Sequence, residues 1–159
     1  MIERPEIHHY LTDGEMFLRL AVGTLLGCMI GLERQLRHRA AGLQTSSLVT
    51  VGSTLFSTIA PSFGITNDLR VVANIVTGVG FLAGGVILKD GMSVSGLNTA
   101  ATMWAAAAVG ALAGEGLFNE AAVGALVILL LNAFMGPLAD YIDKRGKARR
   151  DARRDSGNI

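Results

Sequence analysis

The apolar residues 16–32, MFLRLAVGTLLGCMIGL, pass directly into the polar residues 33–45, ERQLRHRAAGLQT. A helix needs about 20 residues to cross roughly 30 Å of hydrocarbon, so the first stretch is close to the length of a membrane span. The second stretch carries an acid, three arginines, a histidine and two glutamines where a membrane surface would lie. Polar groups at that depth are costly unless they are paired or hydrated. This boundary predicts a membrane helix followed by a polar segment that contains functional residues.

Four further apolar stretches follow, and together the five occupy more than half of the 159-residue chain. Only helices or a closed barrel satisfy every backbone polar group in lipid, and these stretches lack the alternation of barrel strands. The sequence therefore predicts an all-α fold, an integral membrane bundle of about five transmembrane helices. The predicted spans are Met16–Leu32, Ser46–Phe63, Val71–Leu88, Thr99–Leu117 and Ala121–Leu138.

The placement of charge predicts the orientation of this bundle, although the net charge is only +1. Basic residues concentrate in the polar segment 33–45 and after Tyr141, whereas residues 1–15 are mostly acidic. Because cytoplasmic loops carry the excess of lysine and arginine, the N-terminus is expected outside and the C-terminus inside. Three regions result: a periplasmic head at 1–15, a five-helix domain at 16–142 and a basic cytoplasmic tail at 143–159.

Glycines recur at four-residue spacing in three of the predicted spans. This spacing places them on one helix face, where missing side chains let two helix backbones approach closely. The pattern predicts tight helix packing, within one chain or between chains. The predicted packing glycines are Gly23, Gly27, Gly31, Gly78, Gly80, Gly84, Gly110 and Gly114.

A cluster of polar residues is expected at the cytoplasmic face. It combines residues that follow the first span with residues that open the fourth, namely Glu33, Arg34, Arg39, Asn98 and Thr99. Topogenesis or helix capping could explain each residue alone, but the set favours a shared functional pocket. Glu33 is expected to be held by an arginine, since an unpaired buried charge is expensive. Arg37, four residues further on, could pair with it if the first helix continues.

Five blocks of sequence resemble the bacterial MgtC/SapB family, and the match runs collinearly from about Met16 to Leu138. The blocks are GLERQ at 31–35, RAAGLQT at 39–45, RVVA at 70–73, GVGFL at 78–82 and GLNTAATMW at 96–104. The chain departs from the family pattern at Gln44, Asn74, Ala83 and Asn98, where members usually have arginine, glutamine, glycine and threonine. The resemblance implies a multi-pass protein of the bacterial inner membrane, in a short form without the soluble C-terminal domain of longer members. It also implies a role in magnesium homeostasis and growth at low magnesium, and in pathogens a link to virulence.

Two functions fit this sequence. Short loops and glycine-lined helices suit a protein that regulates or docks on other membrane proteins. The alternative is a magnesium transporter or channel subunit, for which Glu33 and Asp90 are the candidate ligands, because Mg²⁺ prefers carboxylate oxygens. An enzyme is not expected, since no nucleophile–base–acid set or phosphate-binding loop is present in the sequence. We expect no cofactor other than Mg²⁺ itself. The expected partners are the lipid bilayer, other membrane proteins and a second copy in a homodimer, but not nucleic acid.

The sequence leaves the partner protein, any transported ion and the oligomeric state open. It also leaves open whether the basic tail binds anionic lipid.

Overall fold

The computed structural model describes residues 12–59, 68–91 and 93–135. The predicted basic tail and most of the predicted head lie outside these ranges, so their placement stays a prediction. The described elements, in chain order, are α1 (Asp13–Leu36), α2 (Leu43–Ile59), α3 (Asp68–Gly84), β1 (Leu88–Asp90), β2 (Ser93–Ser95), α4 (Leu97–Gly114) and α5 (Phe118–Met135).

The chain divides into two compact units, residues 1–125 and residues 126–159. The first unit contains α1 to α4, the two short strands and the beginning of α5, and the packing of α1 to α4 lies within it. In the second unit the described residues, 126–135, are helical and expose large apolar side chains such as Leu131 and Phe134.

Helices form almost all of the described regular structure, as the sequence predicts. By length and composition α1 and α5 could each cross a membrane, and residues 70–84 form a shorter apolar helix. These helices suggest a membrane protein.

A short hairpin follows α3, and the sequence did not predict it. The predicted third span reaches Leu88, but α3 ends at Gly84, and Leu88 instead begins strand β1. Strands β1 and β2 pair antiparallel, with Leu88 opposite Ser95 and Lys89 opposite Val94. Gly91, in the turn, has a φ of 56°, a left-handed conformation that glycine adopts without steric cost.

Both ends of α1 extend beyond the predicted span. Thr12 caps its start by accepting from the backbone N–H of Glu15, whose carboxylate accepts in turn from the Thr12 N–H. This reciprocal capping satisfies two backbone donors at the helix start. At the other end the helix continues to Leu36, so Glu33 and Arg34 are helical residues rather than loop residues.

Helix α2 lies between α1 and α4 and presents small hydroxyl side chains to both. Its buried residues are Ser46, Thr50, Ser53, Thr54, Ser57 and Thr58, all serine or threonine. They recur every three or four residues and therefore form one stripe along the helix. The spacing of these serines and threonines can be read from the sequence. The glycine pattern of α1 and α4 does not by itself show that these two helices pack on the stripe.

The glycines of α1 and α4 meet this stripe. A Cβ added to Gly27 would lie 2.8 Å from the Thr50 side chain, and one added to Gly110 would lie 2.2 Å from the Thr50 carbonyl oxygen. The same close approach to α2 or its first turn occurs at the other glycines of these two helices, Gly23, Gly31 and Gly114. Five of the predicted packing glycines therefore hold contacts within the chain.

Threonine hydroxyls add hydrogen bonds to the α2–α4 contact. The Oγ1 of Thr54 donates to the Gly110 carbonyl at 2.9 Å, and that of Thr58 donates to the Gly114 carbonyl at 3.2 Å. Because Gly110 and Gly114 lack side chains, the hydroxyls reach backbone oxygens that are normally covered in a helix. The absence of side chains thus permits both close packing and polar contact.

The glycines of α3 differ from those of α1 and α4. A Cβ added to Gly78, Gly80 or Gly84 would meet no atom of the described chain within 4 Å. These three glycines therefore do not pack against another described helix of the same chain. Only packing between chains remains as the prediction for them.

We expect Gly110→Ala to lower the free energy of unfolding by roughly 1–3 kcal/mol, the usual cost of overpacking a close contact. The new methyl group would collide with the backbone of α2, which has no side-chain freedom to yield. Denaturant unfolding in detergent micelles measures the change. Gly80→Ala is the matched control, because its methyl group would enter open space. Equal losses in the two variants would contradict the packing described above.

Candidate functional site

Arg34 is the most deeply buried charged side chain among the described residues, with 1% of its surface exposed. It lies in the last turn of α1, and its guanidinium points towards the segment that connects α1 to α2. There its Nε donates to the carbonyls of Ala40 and Ala41 at 3.2 and 3.1 Å, and Nη2 donates to Ala40 at 2.7 Å. The guanidinium therefore holds the connection against the end of α1.

The same guanidinium also binds the first turns of α4. Its Nη2 donates to Thr99 Oγ1 at 2.7 Å, and its Nη1 donates to Thr102 Oγ1 at 3.1 Å. A planar guanidinium offers donors in several fixed directions, so one side chain can serve both groups of acceptors. Arg34 thus joins α1, the α1–α2 connection and α4.

The connection that Arg34 holds has an unusual backbone. His38 and Ala41 have φ values of 53° and 55°, in the left-handed region that costs residues with a Cβ about 1–2 kcal/mol each. Such conformations persist where surrounding contacts enforce them. The bonds from Arg34 to Ala40 and Ala41 are contacts of this kind, and Gln35 adds another by accepting from the Leu43 N–H at 3.1 Å.

Glu33 pairs with Arg37, one helical turn further along, with Oε1 and Nε 2.5 Å apart. The expectation that an arginine holds Glu33 is therefore met, and its partner is Arg37 rather than Arg34 or Arg39. The reason is geometric, because residues four apart share a helix face whereas consecutive residues do not. Glu33 is largely buried and Arg37 more exposed, so this pair lies at the edge of the structure.

The remaining members of the predicted cluster have different surroundings. Thr99 is buried against Arg34, while Arg39 and Asn98 are exposed. Neither Asn98 nor Thr99 caps α4, because the helix begins after Gly96, which has a φ of 87° and gives no side-chain cap. The structure thus brings together Arg34 and Thr99, and it adds Thr102, which the predicted cluster omits.

The signal for Thr102 is present in the sequence. Thr99 and Thr102 are three residues apart and therefore adjacent on one helix face. Thr102 Oγ1 donates to the Asn98 carbonyl at 2.9 Å, and the same oxygen accepts from Arg34.

A second internal arginine holds the opposite end of α4. Arg19 of α1 donates from Nη1 to the carbonyl of Gly114, the last residue of α4. Carbonyls in the last turn of a helix have no partner within the helix, and a cation there also interacts favourably with the helix dipole. The only sequence signal for this contact is an arginine inside an otherwise apolar span.

The two candidate magnesium ligands occupy different environments. Glu33 is engaged by Arg37, and Asp90 lies on the exposed strand β1. Within residues 12–59, 68–91 and 93–135, no three His, Cys, Asp or Glu side chains form a group that could hold a metal ion. Magnesium binding by this chain stays a prediction.

Comparison with known proteins identifies the family. A family model described as the MgtC family matches residues 20–141. The chain belongs to the MgtC family. It is similar to Protein MgtC of Brucella abortus, with 49% identity over 125 residues, which is 78% of this chain and 52% of that protein.

Two further relatives extend this similarity. The chain is 42% identical to Protein MgtC of Salmonella typhimurium over 127 residues, which is 80% of this chain and 55% of that protein. It is 50% identical to Uncharacterized protein slr0014 of Synechocystis sp. over 133 residues, which is 81% of this chain and 56% of that protein. The chain thus spans about half the length of the curated relatives it matches. No solved structure matches it.

We expect Arg34→Lys to lower the free energy of unfolding by about 1.5–3 kcal/mol, the range for hydrogen bonds to charged groups. Lysine keeps the charge, but its single nitrogen cannot serve both the Ala40 carbonyl and the Thr102 hydroxyl. Thermal or denaturant unfolding in micelles gives the value. The control is Arg37→Lys, which alters a partly exposed ion pair and should change stability by no more than roughly 0.5 kcal/mol. If the two substitutions have the same effect, the burial of Arg34 has no special structural role.

Proposed function

We propose that this chain is a multi-pass protein of the bacterial inner membrane that supports magnesium homeostasis and adaptation to low magnesium. In this proposal it acts by regulating or docking on other membrane proteins. The N-terminus is periplasmic and the C-terminus cytoplasmic. Support comes from membership of the MgtC family, from relatives named Protein MgtC and from the apolar character of the described helices.

The exposed surface supports the membrane location. Large apolar side chains are exposed on every described helix, including Leu25 on α1, Phe56 on α2 and Trp104 on α4. Soluble monomers rarely expose contiguous apolar surface on this scale, whereas lipid solvates such side chains well. Five helices with apolar outer faces are consistent with the proposed five membrane spans.

Docking is supported by the open face of α3, the observation that carries the proposal. Gly80 and Gly84 are one turn apart and meet nothing within the described chain. Small residues on a membrane helix let another helix approach closely, and van der Waals contact is a main source of helix association in lipid. A face of this kind suits a partner's transmembrane helix.

The Arg34 contacts favour docking over transport. The Thr99 and Thr102 hydroxyls and the Ala40 carbonyl are oxygens that a cation path could use, but all of them accept hydrogen bonds from Arg34. A fixed positive charge at that position also repels a second cation at short range. These oxygens are therefore better suited to joining helices than to conducting Mg²⁺.

The docking face can be tested in cells. In a strain that lacks its own copy and grows poorly at limiting magnesium, the parent chain should restore growth. Gly80→Leu should restore it at least tenfold less well at equal protein level, because the new side chain keeps a partner helix away. Ala21→Leu is the matched control, since it adds the same bulk to an exposed position on α1. Full growth with Gly80→Leu would argue against docking through α3.

Transport can be tested separately with the purified chain in liposomes that contain a magnesium-sensitive dye. We expect Mg²⁺ entry to remain at the rate of protein-free liposomes. Mg²⁺ entry that rises in proportion to the amount of protein would contradict the docking proposal and support a magnesium transporter or channel.

A further inference from the structure

A groove separates α2 from α3 in the first unit. Helix α3 packs on α4, where Ile75 and Val79 meet Ala107 and Ala111, and it leaves much of its length away from α2. The space between α2 and α3 measures about 650 Å³. Its walls are mainly apolar, and Gly52 and Gly78 line it on opposite sides. The groove is therefore open to a chain segment that can approach both helix backbones.

Asn74 is the polar group that makes this groove unusual. It lies on α3, lines the groove and is exposed, and its side-chain amide has no hydrogen-bond partner among the described residues. An amide inside an apolar span is unfavourable in lipid unless it finds a partner on another helix. The groove is therefore not purely apolar, because the Asn74 amide needs a hydrogen-bond partner from whatever fills it.

The chemistry of the amide favours an identical partner. A primary amide carries both donors and an acceptor, so two asparagines related by a two-fold axis can satisfy each other. Identical chains insert into a membrane in the same orientation, so such an axis runs along the membrane normal. Because of this symmetry, Asn74 lies at the same depth in the membrane in both copies.

The residues next to Asn74 on the same helix face fit this arrangement. Gly78, one turn further, lets two α3 helices approach closely. Phe81, seven residues from Asn74, projects from that face with 85% of its surface exposed. A second copy would cover this ring.

We propose that α3 packs in parallel against α3 of a second copy, closing the groove and pairing the two Asn74 amides. This proposal rests on the membrane location proposed above. The surface differs from the proposed docking face at Gly80 and Gly84, which a partner protein can contact while the dimer is intact.

Disulfide cross-linking in native membranes tests the geometry. Cys28 is the only cysteine in the chain, so Cys28→Ser gives a background without thiols. In that background Phe81→Cys should cross-link the full-length chain to itself on mild oxidation. Val76→Cys is the matched control, because it is also exposed on α3 but points to a different side of the helix. Equal cross-linking at both positions, or none at Phe81, would overturn the proposed interface.

The role of the amide is tested by the dimer dissociation constant in lipid bilayers. Asn74→Leu should raise that constant roughly fivefold to thirtyfold, the range for an interhelical side-chain hydrogen bond. Asn74→Gln keeps the amide and should raise it less. An unchanged constant in Asn74→Leu would overturn the proposal, as would a purely monomeric parent chain. A disulfide that joins Phe81→Cys to a different protein, in place of the self-cross-link, would also overturn it.

Failure of this proposal can be separated from failure of the membrane location. A chain that leaves the membrane fraction on alkaline washing would contradict both. A chain that stays in the membrane but is monomeric would contradict the dimer alone.

Discussion

The buried guanidinium of Arg34 is the interaction on which the arrangement of the first unit most depends. It is buried, no carboxylate of the described residues lies at hydrogen-bond distance from it, and oxygens on two other segments accept its hydrogen bonds. Breaking such a network would leave buried carbonyl and hydroxyl groups without donors, and each unsatisfied group costs about 1–3 kcal/mol. The α1–α2 connection, with its left-handed residues His38 and Ala41, can adopt its path because these bonds offset the strain.

Close packing of α2 against its neighbours is the second constraint. Glycines on α1 and α4 remove the side chains that would hold α2 away, and serines and threonines on α2 fill the narrow gaps. Each threonine hydroxyl can then reach a backbone carbonyl across the contact, as Thr54 does at Gly110. Because hydrophobic burial contributes little to helix association in lipid, this combination of close contact and hydrogen bonding suits a membrane protein.

Helical structure, the packing glycines of α1 and α4 and the family could be predicted from the sequence, because each depends on a local pattern. The pairing of Glu33 with Arg37 could be predicted only as a condition, because it required α1 to continue past its apolar end, as it does to Leu36. The hydrogen-bond partners of Arg34 could not be predicted. The hairpin after α3 could not be predicted, because Val86, Ile87 and Leu88 are apolar and their composition continues that of the predicted span. The charge pattern placed Arg34 and Thr99 at one face of the predicted bundle. The direct hydrogen bonds of Arg34 to Thr99 and Thr102 join segments more than 60 residues apart, and periodicity carries no information about such individual pairings.

The Arg34 cluster and the exposed face of α3 have different roles. Buried polar groups at Arg34 hold helices together, whereas the exposed glycines of α3 make no close packing contact within the described chain. Surface that does not contribute to a protein's own packing is available for contact with other molecules. The proposed functions of this chain therefore centre on α3 rather than on the polar cluster.

Hydrogen exchange measured by mass spectrometry on the parent chain and Arg34→Gln tests the central role of Arg34 most directly. We expect faster exchange in residues 37–42 and in the first turns of α4, with α2 and the end of α4 near Gly114 protected as in the parent chain. Unchanged exchange in both regions would contradict the role assigned to this side chain.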